Sequence, residues 1–321
     1  MTRTLRRLAP SLLLLVLSAC GLARCTPAPL DRAALDGLYA RPLPPPAGPL
    51  AVYFVGHSLV GRDMPAMLAE LAPAGHRYES ELGWGANLKS HWGDAEIAGF
   101  AQENAHPRYR DAQEATGSGD YDAFVFTEML NISTSLRYYD TPGYLHRFAA
   151  RIREARPDAR IFLYETWRAL GDPEGWMDRF DPDLTELWEG GILAQTLAYA
   201  DTGGPIHVIP AGQVLARVVR AVEARPGGID GVASRSDLFS DDVHLNDIGA
   251  YLVAVTHHAV LYQRDPAGLP RQLHRADGTP AVAPGPELAA LIQATAWDVV
   301  THYPKTGVPQ EPSAAGGPAN G

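Results

Sequence analysis

Five apolar runs of strand length recur along the chain, at 50–55, 77–82, 123–127, 159–164 and 206–210, the second being the weakest. Helical patterns separate them. Asp63 can cap a helix over 64–71, and Thr141-Pro142 opens another that runs to about Arg156. In that second helix Tyr144, Leu145, Phe148, Ala149 and Ile152 mark one apolar face. Further helices are predicted over 184–200, 213–224, 247–262 and 286–300. Strands that alternate with helices predict an α/β fold with a parallel sheet covered on both faces.

The ends read differently. Arg3, Arg6 and Arg7 precede an apolar stretch at 11–17 that is too short to span a bilayer. It closes in Leu17-Ser18-Ala19-Cys20, which resembles a bacterial lipobox, so residues 1–20 read as a lipoprotein signal peptide with Cys20 as the lipidated residue. Gly21 after that cysteine implies the periplasmic side of the outer membrane, with the chain held in the cell envelope by its lipid anchor. Cys25 is then the one remaining thiol, without a partner for an internal disulfide. Residues 21–48 hold Pro27, Pro29, Pro42, Pro44, Pro45 and Pro46 and read as a semi-rigid tether. Residues 304–321 are rich in Pro, Gly, Ala and Ser and read as a disordered tail. Between them, 49–303 makes one domain of roughly 255 residues, enough to bury a good core. The net charge of −10 removes the starting point for nucleic-acid binding.

The candidate chemistry lies in two segments. Gly56-His57-Ser58-Leu59 follows the first strand, where ligands bind in open parallel sheets. Ser240-Asp241-Asp242-Val243-His244 precedes the helix over 247–262. Together they resemble the SGNH (GDSL-type) hydrolase superfamily, whose first block ends a strand in Gly-x-Ser-Leu and whose last block is Asp-x-x-His before a helix. The resemblance covers roughly 48–262, with His57 where the family usually has aspartate. It implies a flavodoxin-like three-layer α/β/α sandwich. It also implies a catalytic triad of Ser58 as nucleophile, His244 as base and Asp241 as the group that fixes the imidazole. Asp242, off the family spacing, is expected to cap the loop or face solvent.

The same resemblance implies an oxyanion hole built from the N–H of Ser58, a glycine N–H after the second strand and an asparagine amide after the third. Gly85 is the expected glycine, with Gly83 behind it. The family's Gly-x-Asn-Asp is absent, and the chain reads Thr127-Glu128-Met129-Leu130-Asn131. Asn131 reaching back is the expected third donor, with Asn87, Thr127 or a main-chain N–H as alternatives. Trp84, Asn87, Glu128 and Trp167 are expected to meet substrate, since aromatic faces beside polar groups suit sugar rings. Glu128 and Glu165, both at strand ends, also allow a rival glycosidase pair.

His257 and His258 are adjacent and fit no metal spacing. No dinucleotide or Walker loop is present, so no metal or cofactor is implied. The expected function is an SGNH-type serine esterase that works through an acyl-enzyme and removes short acyl groups, such as acetyl, from a carbohydrate. The alternatives are a non-catalytic polysaccharide-binding envelope lipoprotein, a lysophospholipase or arylesterase, and transfer of the acyl group to a sugar.

Overall fold

A computed structural model describes residues 26–310. The signal segment with Cys20, the thiol Cys25 and residues 311–321 lie outside the described residues. Five strands form close to the expected positions: β1 Ala51–His57, β2 Arg77–Gly83, β3 Ala123–Phe126, β4 Arg160–Glu165 and β5 His207–Pro210. All pairings are parallel, in the order β2-β1-β3-β4-β5. A parallel neighbour cannot be reached by a tight turn, so each connection crosses a face of the sheet.

Both faces are therefore buried. Along β1, Val52 and Phe54 enter one apolar cluster while Ala51, Tyr53 and Val55 enter the other. The helices Asp63–Leu71, Ala211–Glu223, Asp247–Tyr262 and Pro286–His302 close the first cluster. Ala112–Ser118, Thr141–Ala155 and a π-helical segment, Leu184–Leu193, close the second. The result is a flavodoxin-like three-layer α/β/α sandwich. In this strand order the connections leave β1 in opposite directions, which opens a crevice at its carboxyl end between β1 and β3.

Some elements depart from the expected pattern. Arg62, not Asp63, occupies the N-cap of Asp63–Leu71, and the Asp63 carboxylate instead accepts the Ala276 N–H at 2.9 Å. The helix expected over 184–200 is π-helical to Leu193 and ends after the short turn Ala194–Thr196.

Both ends of the domain also need correcting. Within the expected tether, Asp31 caps a helix at Arg32–Gly37, and Leu35 and Tyr39 are buried in the second cluster. The Tyr39 hydroxyl donates to the Ile206 carbonyl at 2.6 Å. Past residue 303, Thr306 and Val308 are buried, and Lys305 lies 2.5 Å from Asp36 and 3.4 Å from Glu189. Proline content sets backbone stiffness, but a few apolar and charged anchors are enough to bury such a segment. Glu189 is almost fully buried and keeps Arg32 at 2.9 Å, so truncation removes one of the two cations it has among the described residues, together with the burial of Thr306 and Val308. A chain ending at Tyr303 should lose roughly 3 kcal/mol of stability, mainly from that lost burial, read as a lower urea midpoint. An unchanged midpoint would mean that 304–310 only lie on the surface.

Candidate active site

Ser58 is the first residue beyond β1, at the crevice. Gly56 permits this, because a Cβ there would stand 2.7 Å from Thr127 Cγ2 and 2.9 Å from Val60 Cγ2. The chain then turns sharply, and the N–H groups of Val60 and Gly61 reach back to the His57 carbonyl at 2.9 and 3.2 Å. His57 is buried. Its Nδ1 accepts the Leu59 N–H at 3.3 Å, so Nε2 carries the proton and donates to the Glu128 carbonyl at 2.7 Å. Burial pushes its pKa down to about 4, so the ring stays neutral and acts as a strut. A second buried ring, His91, spans from Glu81 Oε1 at 2.8 Å to the Gly56 carbonyl at 2.9 Å. The strand tip is held from both sides.

His244 arrives from the far end of the domain. Its Nε2 lies 2.7 Å from Ser58 Oγ, and its Nδ1 lies 2.7 Å from Asp241 Oδ2. The other oxygen, Asp241 Oδ1, accepts the main-chain N–H groups of His244 and Val243, each at 2.7 Å. Those two N–H groups, with the imidazole, hold the Asp241 carboxyl down to about 2. It is ionised wherever the imidazole can act as a base.

The side chains of His244 and Asp241 are roughly half exposed, so packing alone does not fix their loop. Hydrogen bonds to the segment after β4 do. Asp242 accepts the Leu170 N–H on its carbonyl at 2.8 Å and the Gly171 N–H on Oδ1 at 2.9 Å. The Trp167 indole donates to the Val243 carbonyl at 2.9 Å. That segment is anchored in turn by Arg168, which bonds Asp183 at 2.5 Å and Glu174 at 2.9 Å. Asp242 therefore caps a loop, and the loop it caps supports His244.

Two cavities meet at Ser58 and His244. One, of about 490 Å³, also holds Gly85, Trp84, Glu103 and Leu130. The other, of about 380 Å³, runs between Met64, Ala250 and Val253. Among the described residues no acceptor takes the N–H of Ser58 or of Gly85. Gly85 has φ +55°, a left-handed conformation that suits glycine. Free N–H groups beside a candidate nucleophile are the donors that an oxyanion would need.

Other expected site residues lie elsewhere. Asn131 does not reach back. Its side-chain oxygen accepts the Thr134 N–H at 2.9 Å as the cap of Ile132–Tyr138, and it lines a separate cavity. Thr127 is excluded as a donor, because its hydroxyl is committed to the Tyr164 carbonyl at 2.9 Å. Asn87 caps Leu88–His91 through Ser90 and lines neither cavity at Ser58. Glu128 is not a substrate contact. It is fully buried and accepts from the Met129 N–H at 2.7 Å and the Thr141 hydroxyl at 2.8 Å, with its pKa raised by burial.

Trp167 is 3% exposed and packs edge-on to Tyr164 and Phe239, but it also lines the cavity that runs from Ser58 and His244 along Met64 and Val253. Trp84, at 54% exposed, does face the Ser58 cavity. Sequence reasoning missed Glu103 beside it, which no motif marks. Glu165 is also buried and accepts from Gln213, and burial pushes its pKa up to about 8. With Glu128 sealed away, the two carboxylates do not flank one open site.

No family model matches the chain, and no curated protein matches it. Remote structural likenesses exist. A DUF4886 family protein from Bacteroides uniformis aligns at 17% identity and a TM-score of 0.48, over 80% of this chain and 96% of that one. A lipase candidate of GDSL-like type from Parabacteroides merdae aligns at 12% identity and 0.42, over 68% and 97%. A carbohydrate esterase family 2 enzyme from Corynascus thermopiles, with its carbohydrate-binding domain, aligns at 12% and 0.36, over 68% and 67%. All three are distant, so the chemistry of this chain has to come from its own residues.

Two outcomes are expected from this geometry. Asp242→Ala should lower kcat for an ester about tenfold with little change in KM, whereas Asp242→Asn, which keeps the acceptor oxygen, should stay near wild type. Equal activity in all three would mean that the side-chain tie to Gly171 does not position His244. The second outcome concerns Glu165. Its folded-state pKa of about 8 exceeds the ordinary 4.5, so the folded protein keeps a proton that the unfolded chain releases between those values. Stability should fall as pH rises through that window, and Glu165→Gln should flatten the fall in urea melts at pH 5 and pH 8.

Proposed function

We propose that this protein is a serine carboxylic-ester hydrolase of the SGNH type, acting through an acyl-enzyme on short acyl groups carried by a carbohydrate. The observation that carries the proposal is the hydrogen-bonded series Ser58–His244–Asp241, with both links at 2.7 Å. A serine hydroxyl is a weak nucleophile until an adjacent base can take its proton. His244 Nε2 is in place to do so, and ionised Asp241 sets the tautomer with Nδ1 protonated and stabilises the imidazolium that forms.

In the proposed cycle, Ser58 Oγ attacks the ester carbonyl carbon while its proton moves to His244 Nε2. The carbonyl oxygen becomes an oxyanion facing the N–H groups of Ser58 and Gly85. The C–O bond to the alcohol then breaks, and His244 returns the proton to the leaving oxygen. Water repeats the sequence on the acyl-enzyme and frees the acid. No cofactor enters this scheme. The reading extends to place: with lipidation at Cys20, the enzyme would work on envelope or imported glycan esters at the periplasmic side of the outer membrane.

The test is hydrolysis of p-nitrophenyl acetate, butyrate and octanoate by the wild type, Ser58→Ala and Asp241→Asn. Turnover should fall with chain length and vanish in Ser58→Ala. Asp241→Asn should retain KM and lose roughly a factor of 10⁴ in kcat. Ester hydrolysis that survives Ser58→Ala would overturn the assignment.

A further inference from the structure

Trp84 is a large apolar ring left exposed beside the candidate nucleophile, yet it is held rigidly. Its main-chain N–H donates to the Ala98 carbonyl at 2.7 Å, and its indole N–H donates to Glu103 Oε1 at 2.8 Å. Gly99 closes the third side. A Cβ at Gly99 would fall 2.2–2.5 Å from three atoms of the indole, and its φ of +67° is also one that glycine adopts freely. The backbone thus backs one side of the ring, and the indole still keeps 54% of its surface open. Burial normally supplies the stabilisation for ordering such a side chain. Here three polar and steric restraints order a ring that gains little burial.

We infer that Trp84 and Glu103 form a subsite for a sugar ring on the alcohol side of the ester. This rests on the esterase reading for its role but not for its binding chemistry. The open indole can take the C–H face of a pyranose. Glu103 Oε1 is occupied by the indole, and Oε2 has no protein partner among the described residues, so it can accept a sugar hydroxyl. The cavity in front, about 490 Å³, has room for a monosaccharide and contains both Gly85 and His244.

The alcohol side follows from the proposed reaction, in which the sugar carries the leaving oxygen; His244, which would protonate that oxygen, lines this cavity as well as the second. A fatty alcohol would ask for a closed apolar channel. This cavity is open and offers a carboxylate at the edge of its aromatic platform. The cavity along Met64, Ala250 and Val253, which Arg62, Asp247 and Arg275 also line, is then left for the acyl group.

The test separates binding from turnover by working in the Ser58→Ala background. Calorimetric titration with O-acetylated hexasaccharides of β-1,4-linked glucose and xylose should show binding. Adding Trp84→Ala or Glu103→Ala should weaken it about tenfold or more, while Trp84→Phe should stay within about threefold because a ring face remains. Circular dichroism and the thermal midpoint report whether each variant is folded, and Trp84→Phe tests stacking should the alanine variant unfold. Affinity that is indifferent to Trp84 and Glu103 would overturn the subsite, as would binding of lysophosphatidylcholine micelles in place of sugars. If sugar binding depends on Trp84 but the wild type hydrolyses no ester, the subsite stands and the esterase reading falls. Ester turnover without sugar binding would keep the esterase and overturn the subsite.

Discussion

The chemistry proposed for this chain depends on one 2.7 Å hydrogen bond, from Ser58 Oγ to His244 Nε2, between residues 186 positions apart. Nothing local enforces it. Ser58 is set by the end of β1 and His244 by a loop leading into the helix Asp247–Tyr262, which packs under the same sheet. The sandwich therefore acts as a ruler. A parallel sheet of order β2-β1-β3-β4-β5 fixes where β1 ends and where the crevice opens, and the packed helix fixes the height of the loop above it. A misplacement of about 1 Å at such a contact can cost a hundredfold in rate, so the surrounding hydrogen bonds matter as much as the three side chains.

Those supports differ on the two sides. Below Ser58 they are buried: His57 on the Glu128 carbonyl, and His91 between Glu81 and the Gly56 carbonyl. A neutral imidazole at His57 avoids placing another fixed charge near His244, whose proton affinity has to change during a cycle. Around His244 the supports are loop hydrogen bonds that end in an ion pair, running from Asp242 through the segment after β4 to the part-buried Arg168 and Asp183. The proposed nucleophile is thus held by the core, while the proposed base, itself about half exposed, rides on a loop. That loop is the part of the site more open to movement.

The strands and most of the helices were legible because hydrophobic periodicity is a local signal, and the five strands fall within a few residues of the apolar runs. Ser58, Asp241 and His244 were legible as two short motifs in their order, although only the fold could show that they meet. What failed was judgement of direction and partnership. Glu128 stands just past a strand end, as a site residue would, but the chain folds Thr141 over it and seals it in. Asn131 looked like a displaced oxyanion donor, yet an asparagine three residues before Thr134 is equally an N-cap, and the cap is what forms. The segments around Leu35 and Val308 were hidden by their proline and glycine content. Glu103 gave no signal, since its meaning lies in Trp84, which only tertiary structure brings to it.

The central claim is that Ser58 is an activated nucleophile, and covalent capture tests it most directly. The protein would be treated with a fluorophosphonate and analysed by intact mass, then by peptide mapping. The account predicts one phosphonyl adduct, on Ser58, formed far more slowly when His244 is replaced by alanine and not at all in Ser58→Ala. A folded wild-type protein that takes no adduct, or takes it on another residue, would contradict it.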